Sequence, residues 1–569
     1  MYVLGISEID NDAGAVLLKD TEVVCAANEE RFSRVKGHQG FPHLAIDWIL
    51  SNTGLSLSEI DHIAIAKADP ESDRERFYRV SEFLKNHDYL SKSDRASLPT
   101  RALNLLVNHY RTAPRSIALA RRMDDEIRRW IDKTSCKDRT VRVPHHLAHA
   151  ACAYWGSGFS DALAVTFDGQ GEGVSSQIYL VTAGRFALLK EIRLPNSLGT
   201  FYASITKALG FTPARHEGKI TGLAAYGKPS PALLNEIRNL AFNDAEGSFA
   251  APAVYGSYPR ILYLARRHGR EDMSAAFQTV LEEVATTFIA HYVRKHEVAN
   301  VVLAGGVAAN VKLNQRVHEI DGVRNLFVFP HMGDGGLGYG AAQVVAREKL
   351  HDSSPRRISN VYWGPEYSNE VIESELKHHG LAYHVSQEVE SEVAELIAAN
   401  KVVAHFDGRM EFGPRALGNR SILYPATNPE VNQWLNAQLD RSEFMPFAPV
   451  TLAERAGDYY RNTNGATATA EFMTITFDCT ERMKLESPAV VHVDGTARPQ
   501  LIREEVNPRY YGILNEYFKR TGFASIVNTS FNKHEEPIVC SPDDAIRSFL
   551  GGKLDCLAIG NCIVPRPGQ

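Results

Sequence analysis

The spacing of apolar and polar positions divides the chain into a duplicated first part and a second, independent α/β pattern. Near the start, YVLGIS, AGAVLLKD and EVVCAAN read as three short strands. They are joined at Asp10-Asn11-Asp12 and Asp20-Thr21, both good turn chemistry. Residues 162–190 repeat this order: ALAVTF runs into Asp168-Gly169-Gln170-Gly171-Glu172, followed by SSQIYLVTAG and RFALLKEIRL. Two such meanders, about 160 residues apart, predict an internal duplication, since a solenoid would repeat far sooner. Phe41-Pro42 opens a helical pattern through Ile46, Ile49 and Leu50, and residues 70–135 read as polar helix. Arg101 to Arg129 reads there as a basic amphipathic surface. An amphipathic helix over 272–297 feeds the strand NVVLAGG, and NLFVFP is a further strand. HDSSPRRISNVY, residues 351–362, reads as a linker. The pattern then restarts: helix 369–380, strand LAYHVS, helix 389–399, strand KVVAHFDG. The expected boundaries are 1–352 and 353–569.

Composition removes several function classes. At 569 residues the chain is too long for one core. With 44% hydrophobic and 23% charged residues it is an ordinary soluble chain, and its net charge of −6 gives no reason to expect nucleic acid or an anionic membrane as partner. No apolar run approaches the ~20 residues needed to span a bilayer. The start, MYVLGISEID, lacks the basic and apolar regions of a secretory signal, so a cytoplasmic location is expected. The seven cysteines are scattered with no C-x-x-C pair, which predicts buried thiols in a reducing compartment.

The chemistry concentrates first in residues 141–173. Four helical residues turn through ~400°, so His145 and His149 share one helix face. The strand ALAVTF then delivers Asp168 to a glycine turn where backbone N–H groups can approach a phosphate. NLFVFP ends similarly, in His331-Met332-Gly333-Asp334, placing a second carboxylate beside glycines. His145, His149, Asp168 and Asp334 thus offer two nitrogen and two oxygen ligands, a set that suits iron(II) or manganese(II) better than a closed structural zinc site. His146 and His331 read as neighbours of that set rather than ligands. Lys219, among the glycines of EGKITGLAAYG, is placed to reach a phosphate as a point charge. A strand, Gly305-Gly306 and a helix carrying Asn310 offer backbone for an adenosine. The charged segment Glu29 to Lys36 reads on its own as a solvated turn.

The duplicated β-β-β-α pattern resembles the actin–hexokinase–sugar-kinase (ASKHA) superfamily, in which ATP lies between similar halves. In the second α/β pattern, GRMEFGPRALGNRS, RSEFMPFAP, DGTARPQ and NTSFN combine arginines in turns with Asn, Ser and Thr. Forked guanidinium donors and small polar groups are what a multiply charged phosphate ligand needs.

Taken in order, EERFSR, HHLAHA, DGQGE, GLAAYG, AGGVAANVKLN, GPRALGNRS, FMPFAP and NTSFN resemble the O-carbamoyltransferases of nodulation-factor, cephamycin and tobramycin biosynthesis over nearly the whole chain. The resemblance implies an ASKHA-type metal and nucleotide domain followed by a YrdC-like domain. It implies that carbamoyl phosphate and ATP (with Mg2+) give carbamoyl-AMP in the C-terminal domain, releasing phosphate and pyrophosphate. The carbamoyl group then passes, in the metal-containing domain, to a hydroxyl of a small-molecule acceptor such as a sugar or antibiotic. By this resemblance Arg415, Arg498, Ser530 and Asn532, with Asn528, bind carbamoyl phosphate and form the adenylate. Lys36 maps near the acceptor or carbamoyl site, and Gly305, Gly306 and Asn310 contact adenosine. A monomer or homodimer is expected by the same analogy. Two positions depart from the family pattern. Asn11 stands where a His-Asp-Ala-Ser turn has histidine, leaving Asp12 as a candidate general base. Leu439 stands where a lysine is common, with Arg441 the nearest cation. An ASKHA small-molecule kinase and a nucleotide-binding, non-catalytic homologue are the alternative readings.

Overall fold

The structure, a computed structural model, describes all residues except 8–11, 69–123, 253–256, 432–433, 435–445, 534, 553 and 568–569. Asn11, Leu439, Arg441 and most of the expected polar helical region 70–135 fall outside the described residues. The chain forms two compact units: Met1–Val24 with Gln39–Arg357, and Cys25–His38 with Ile358–Gln569.

The first unit is built on two five-stranded sheets. One contains β1 (Tyr2–Ile6), β2 (Gly14–Lys19), β3 (Glu22–Asn28), β4 (His62–Ile65) and β5 (Thr140–Arg142), in the order β3-β2-β1-β4-β5. The other contains β6 (Asp161–Gly171), β7 (Val174–Thr182), β8 (Arg185–Arg193), β11 (Asn300–Ala304) and β12 (Asn325–Val328), in the order β8-β7-β6-β11-β12. A two-stranded ribbon of β9 (Phe242–Asn243) and β10 (Phe249–Ala250) lies between β8 and β11 in the chain. In both sheets the first strand is central, antiparallel to the second and parallel to the fourth, which is parallel to the fifth. The duplication expected from the repeated meander is therefore the same strand order built twice, the ASKHA-type α/β arrangement. The central strands carry near-continuous apolar runs, as strands covered on both faces must; Val3, Leu4, Ala162 and Leu163 have no exposed surface.

Two helices follow the parallel strands and set the site. The helix His145–Ser157 starts three residues after β5, and a 3-10 turn Asp334–Gly336 leads from β12 into the helix Leu337–Leu350. These helices pack closely because of Gly340: a Cβ there would lie 2.0 Å from the Ala148 carbonyl oxygen and 2.7 Å from Cys152 Sγ.

The second unit holds an eight-stranded mixed sheet. Its strands are β13 (His384–Val385), β14 (Val403–Phe406), β15 (Arg420–Pro425), β16 (Ala448–Leu452), β19 (Gln500–Ile502), β20 (Ser525–Ser530), β21 (Cys556–Ile559) and β22 (Cys562–Pro565). They run in the order β13-β22-β21-β14-β15-β20-β16-β19, and β17 (Phe477–Asp478) pairs with β18 (Thr496–Ala497) separately. The expected strand LAYHVS is reduced to β13, a two-residue edge. Cys25–His38 belongs to this unit by packing: Ala26 N donates to the Trp363 carbonyl at 3.0 Å, and Phe32 rests on Met410, Ala416, Ile538 and Cys540. All seven cysteines are buried, and none forms a disulfide. Among the described residues no helix is long and apolar enough to cross a membrane.

Candidate functional site

The first unit gathers His145, His149, Asp168 and Asp334 at the ends of parallel strands, where open α/β sheets place ligands. One ligand atom from each lies within 4.8 Å of all the others. His145 Nε2 and His149 Nε2 stand 3.1 and 3.0 Å from Asp168 Oδ2, and 3.9 and 3.5 Å from Asp334 Oδ1. Around an ion with bonds of about 2.1 Å, adjacent donors sit about 3 Å apart and opposite donors about 4.2 Å. The four donors fit that spacing, so these residues suit a divalent transition metal, with two neutral imidazoles and two carboxylates as ligands.

The electrostatics agree with the geometry. Burial alone raises the Asp168 carboxyl, but hydrogen bonds and charge from His145 and His149 outweigh it and hold Asp168 well below the usual carboxylate range. Asp334 is pushed up, first by burial and then by the neighbouring charge of Asp168. Two carboxylates forced together in this way favour a cation between them. His146, expected to be a neighbour, faces away from the set: Nδ1 meets Thr166 Oγ1 at 2.8 Å, and Nε2 meets the Val174 carbonyl at 3.0 Å. Burial, reinforced by the other two histidines, pushes His146 down to about 3, so it stays neutral. His331 is buried, with Nε2 3.9 Å from Asp12 Oδ2.

The glycine turn adjoins this cluster. Gly305 has φ +96°, its N–H donates to the Met332 carbonyl at 2.7 Å, and a Cβ on it would meet the Phe167 carbonyl oxygen at 2.3 Å. A Cβ on Gly306 would stand 3.2 Å from Asp168 Oδ1, so the turn lies close to the Asp168 carboxylate. Asn310 caps the helix Val311–His318 by accepting from Leu313 N, and it exchanges two hydrogen bonds with the Gln278 side chain, at 2.9 and 3.1 Å. Gln278 also accepts from Tyr202 OH at 2.6 Å, and Tyr202 meets Thr221 on the helix Glu217–Ala224 that carries Lys219. This chain of contacts joins Asn310 to the Lys219 helix. The Lys219 ammonium itself is buried, 5.8 Å from the centre of the Phe211 ring. Gln278 and Tyr202 have no motif around them and were not legible as site residues.

In the second unit one amide pair, Asn528 and Gln500, ties together two of the runs that carry the candidate phosphate-binding residues. Asn528, buried on β20, donates to the Ala416 carbonyl at 3.2 Å and to Gln500 Oε1 at 2.8 Å. Gln500 in turn donates to the Leu417 carbonyl at 2.7 Å. The Arg415 loop, the Arg498-Pro499-Gln500 run and β20, which ends at Ser530, are thereby tied together, and Asn528 Oδ1 is buried with no hydrogen-bond partner among the described residues. The Asn532 amide holds the next loop, donating to the Lys533 and Glu536 carbonyls. Lys36 is exposed, in the Cys25–His38 segment of this same unit rather than in the first. Gln500 lay inside a quoted run but carried no signal separating it from its neighbours.

The chain is similar to known proteins. The family described as "Carbamoyltransferase N-terminus" matches residues 2–343, and "Carbamoyltransferase C-terminus" matches residues 394–566. An uncharacterized Synechocystis protein, sll1178, is 32% identical, covering 100% of this chain and 97% of its own length. Nodulation protein NolNO of Sinorhizobium fredii is 33% identical over 98% of this chain and 79% of its own. A solved structure, component A of the Acidaminococcus fermentans (R)-2-hydroxyglutaryl-CoA dehydratase, aligns with a TM-score of 0.35 and 13% identity over 62% of this chain and 99% of that one. That score is too low to bear on function. The two family matches span both units and include all four members of the His/Asp cluster, and the chain belongs to the carbamoyltransferase family, as an enzyme that transfers carbamoyl groups.

Proposed function

We propose that this carbamoyltransferase works in two steps at two sites. In the second unit, carbamoyl phosphate, ATP and water give carbamoyl-AMP, phosphate and pyrophosphate. In the first, a hydroxyl of a small natural-product or sugar acceptor attacks the carbamoyl carbon; a C–O bond forms, the bond to AMP breaks, and AMP leaves. A carbamoyl carbon is a sluggish electrophile because its nitrogen feeds electrons into the carbonyl, and the adenylate supplies a good leaving group. Arg415 and Arg498 bind the phosphate of carbamoyl phosphate by forked hydrogen bonds, with Ser530, Asn528 and Asn532 beside them. In the first unit His145, His149, Asp168 and Asp334 hold a divalent metal, iron(II) in first place and manganese(II) in second. When bound, that ion supplies Lewis acidity and a template for the adenylate phosphate. Gly305, Gly306, Asn310 and Lys219 orient the nucleotide. Asp12, facing His331, takes the proton of the acceptor hydroxyl.

The observation that carries this reading is the contact of the Gly305-Gly306 turn with Asp168, which puts a nucleotide-type turn and a metal-type donor set in one place. The test is to incubate the full chain with Mg-ATP and carbamoyl phosphate, without acceptor. Pyrophosphate and carbamoyl-AMP are expected. Release of ADP alone, or no turnover of ATP, overturns the scheme.

A further inference from the structure

The loop that carries Arg415, residues 407–419, joins β14 to β15 and contains no helix or strand, only an isolated β-bridge from Glu411 to Tyr362 with backbone bonds from Met410 and Phe412 to residues 361–365 on either side. A loop of that length must satisfy its amides and carbonyls outside a ladder. Here three ionised side chains, all buried, serve much of it: Arg31 is 4% exposed, Glu411 3% and Arg420 0%. Glu411 Oε1 accepts from three backbone N–H groups, those of Leu417 at 2.7 Å, Asn419 at 2.9 Å and Arg420 at 3.2 Å. The Arg420 guanidinium donates to the carbonyls of Asp407 (2.7 Å), Asn419 (2.9 Å), Gly408 (3.1 Å) and Pro365 (3.1 Å), and lies 3.7 Å from the centre of the Phe406 ring. Arg31, almost four hundred residues earlier, donates to the Gly413 carbonyl at 2.8 Å, two positions before Arg415, and pairs with Glu30 at 2.9 Å.

Buried charges are costly to keep, and apolar packing is the cheaper way to stabilise a core. Ions directed mainly at backbone atoms of one loop define its shape. Charge-assisted hydrogen bonds are the strong, directional kind, and a guanidinium is rigid enough to fix several carbonyls at once. We infer that Arg31, Glu411 and Arg420 are positioning residues that preform the 407–419 loop so that Arg415 meets the phosphate of carbamoyl phosphate without a reorganisation cost on binding. Arg31 belongs by sequence to the EERFSR run near the N-terminus, yet it serves the adenylate-forming unit. Its neighbour Arg34 acts likewise, donating to the carbonyls of Pro537 at 2.9 Å and Ile538 at 2.8 Å, on the loop that Asn532 also holds.

This inference rests on the proposed role of Arg415, and its test separates the two. Carbamoyl phosphate binding is measured calorimetrically on the full-length protein for wild type, Arg415→Ala, Arg31→Met, Arg31→Lys and Glu411→Gln, with melting temperature and Mn2+ affinity measured in parallel. Arg31→Met and Glu411→Gln are each expected to weaken carbamoyl phosphate about tenfold, the scale of one lost charge-assisted hydrogen bond. Arg31→Lys should recover most of the loss, and Mn2+ affinity should stay within about twofold of wild type, because the His/Asp cluster lies in the other unit. If Arg415→Ala weakens binding while Arg31→Met and Glu411→Gln bind like wild type, even with lowered melting temperatures, the positioning role is wrong and the three ions are only structural. If Arg415→Ala binds as tightly as wild type, the substrate is misplaced and the proposed function fails with the inference. Should Glu411→Gln not fold, the Arg31→Met and Arg31→Lys pair decides alone.

Discussion

Replacing Asp334 by Asn separates a metal site from a merely polar one, because the two predict opposite signs. The ligand atoms of Asp168 and Asp334 lie within 4.8 Å of each other, and the two side chains are only 12% and 22% exposed. Two unit charges at that distance repel by about 3.5 kcal/mol at an effective permittivity of about 20. The nearby imidazoles offset part of this, so metal-free Asp334→Asn should gain roughly 1–3 kcal/mol over metal-free wild type at pH 8. That gain corresponds to roughly 1–4 °C in the melting temperature of a unit this large. Metal reverses the order: wild type should rise on loading with Fe2+ or Mn2+, and the variant, lacking one carboxylate ligand, should rise much less. The pH dependence follows from the raised Asp334 carboxyl. A carboxyl that holds its proton more tightly in the folded than in the unfolded protein costs stability at high pH; the cost begins to lift as pH falls through its folded value and is gone below its unfolded value. The advantage of the metal-free variant should therefore be largest in mild alkali and shrink on acidification. Differential scanning calorimetry of chelated and reloaded protein at several pH values measures all of this. A metal-free variant less stable than metal-free wild type, or one that gains as much from metal, would refute the reasoning.

Further outcomes test the other parts of the site. Arg498→Ala should lower carbamoyl-phosphate-dependent pyrophosphate release by about 100-fold or more, whereas His149→Ala should leave it intact and stop transfer to acceptor; loss of the same step in both variants contradicts the two-site scheme. Gly305→Ala should cost about 1–3 kcal/mol in backbone strain, with the clash at the Phe167 carbonyl added, and thermal denaturation should show a loss larger than for Gly306→Ala. Asn310→Ala should lose about 1 kcal/mol of helix capping and weaken nucleotide binding through the freed Gln278, read by calorimetric titration with a non-hydrolysable ATP analogue. Treatment with a chelator should block acceptor carbamoylation while sparing pyrophosphate release in Mg2+-replenished buffer, with the two products measured in the same reaction.

The sequence exposed those features whose cause is local. The strands of both meanders alternate or run apolar because they line sheets, and most appear within a residue or two of those expected; β6 differs, running on past Phe167 through Asp168 to Gly171 with an irregular register instead of ending in a turn. His145 and His149 share a face because of helical spacing, and Asp168 and Asp334 each follow an apolar strand run beside glycines; each is a short-range pattern. The assignment of Cys25–His38 was not visible. That run is flanked on both sides by first-unit sequence, and its bond from Arg31 to Gly413 spans 382 positions, which no periodicity encodes. Charge was misleading for a related reason. Glu29 to Lys36 reads as a solvated turn, since charged runs usually are, yet Glu29, Glu30 and Arg31 are buried. Glu411 and Arg420 were hidden in the same way: a side chain that satisfies backbone atoms looks, in one dimension, like any surface ion. The same holds for Gln278 and Tyr202, whose importance lies in what they connect.

The charge inventory of the two units agrees with the proposed order of the reaction. In the proposed scheme Arg415 and Arg498 supply positive charge that attracts a phosphate with no metal present. The His/Asp cluster has the opposite character: two carboxylates, one held well below the ordinary range, repel a phosphate unless a cation lies between them. Under that scheme carbamoyl phosphate, a small dianion, is drawn to the arginines whether or not the first unit holds a metal. An adenylate brings only one negative charge on its phosphate and a base and ribose besides, and it can use the Gly305-Gly306 turn and Asn310 for much of its binding. The proposed order, activation at the arginines and transfer at the His/Asp cluster, is the one consistent with this charge distribution, since the reverse would ask the more highly charged substrate to bind beside two carboxylates.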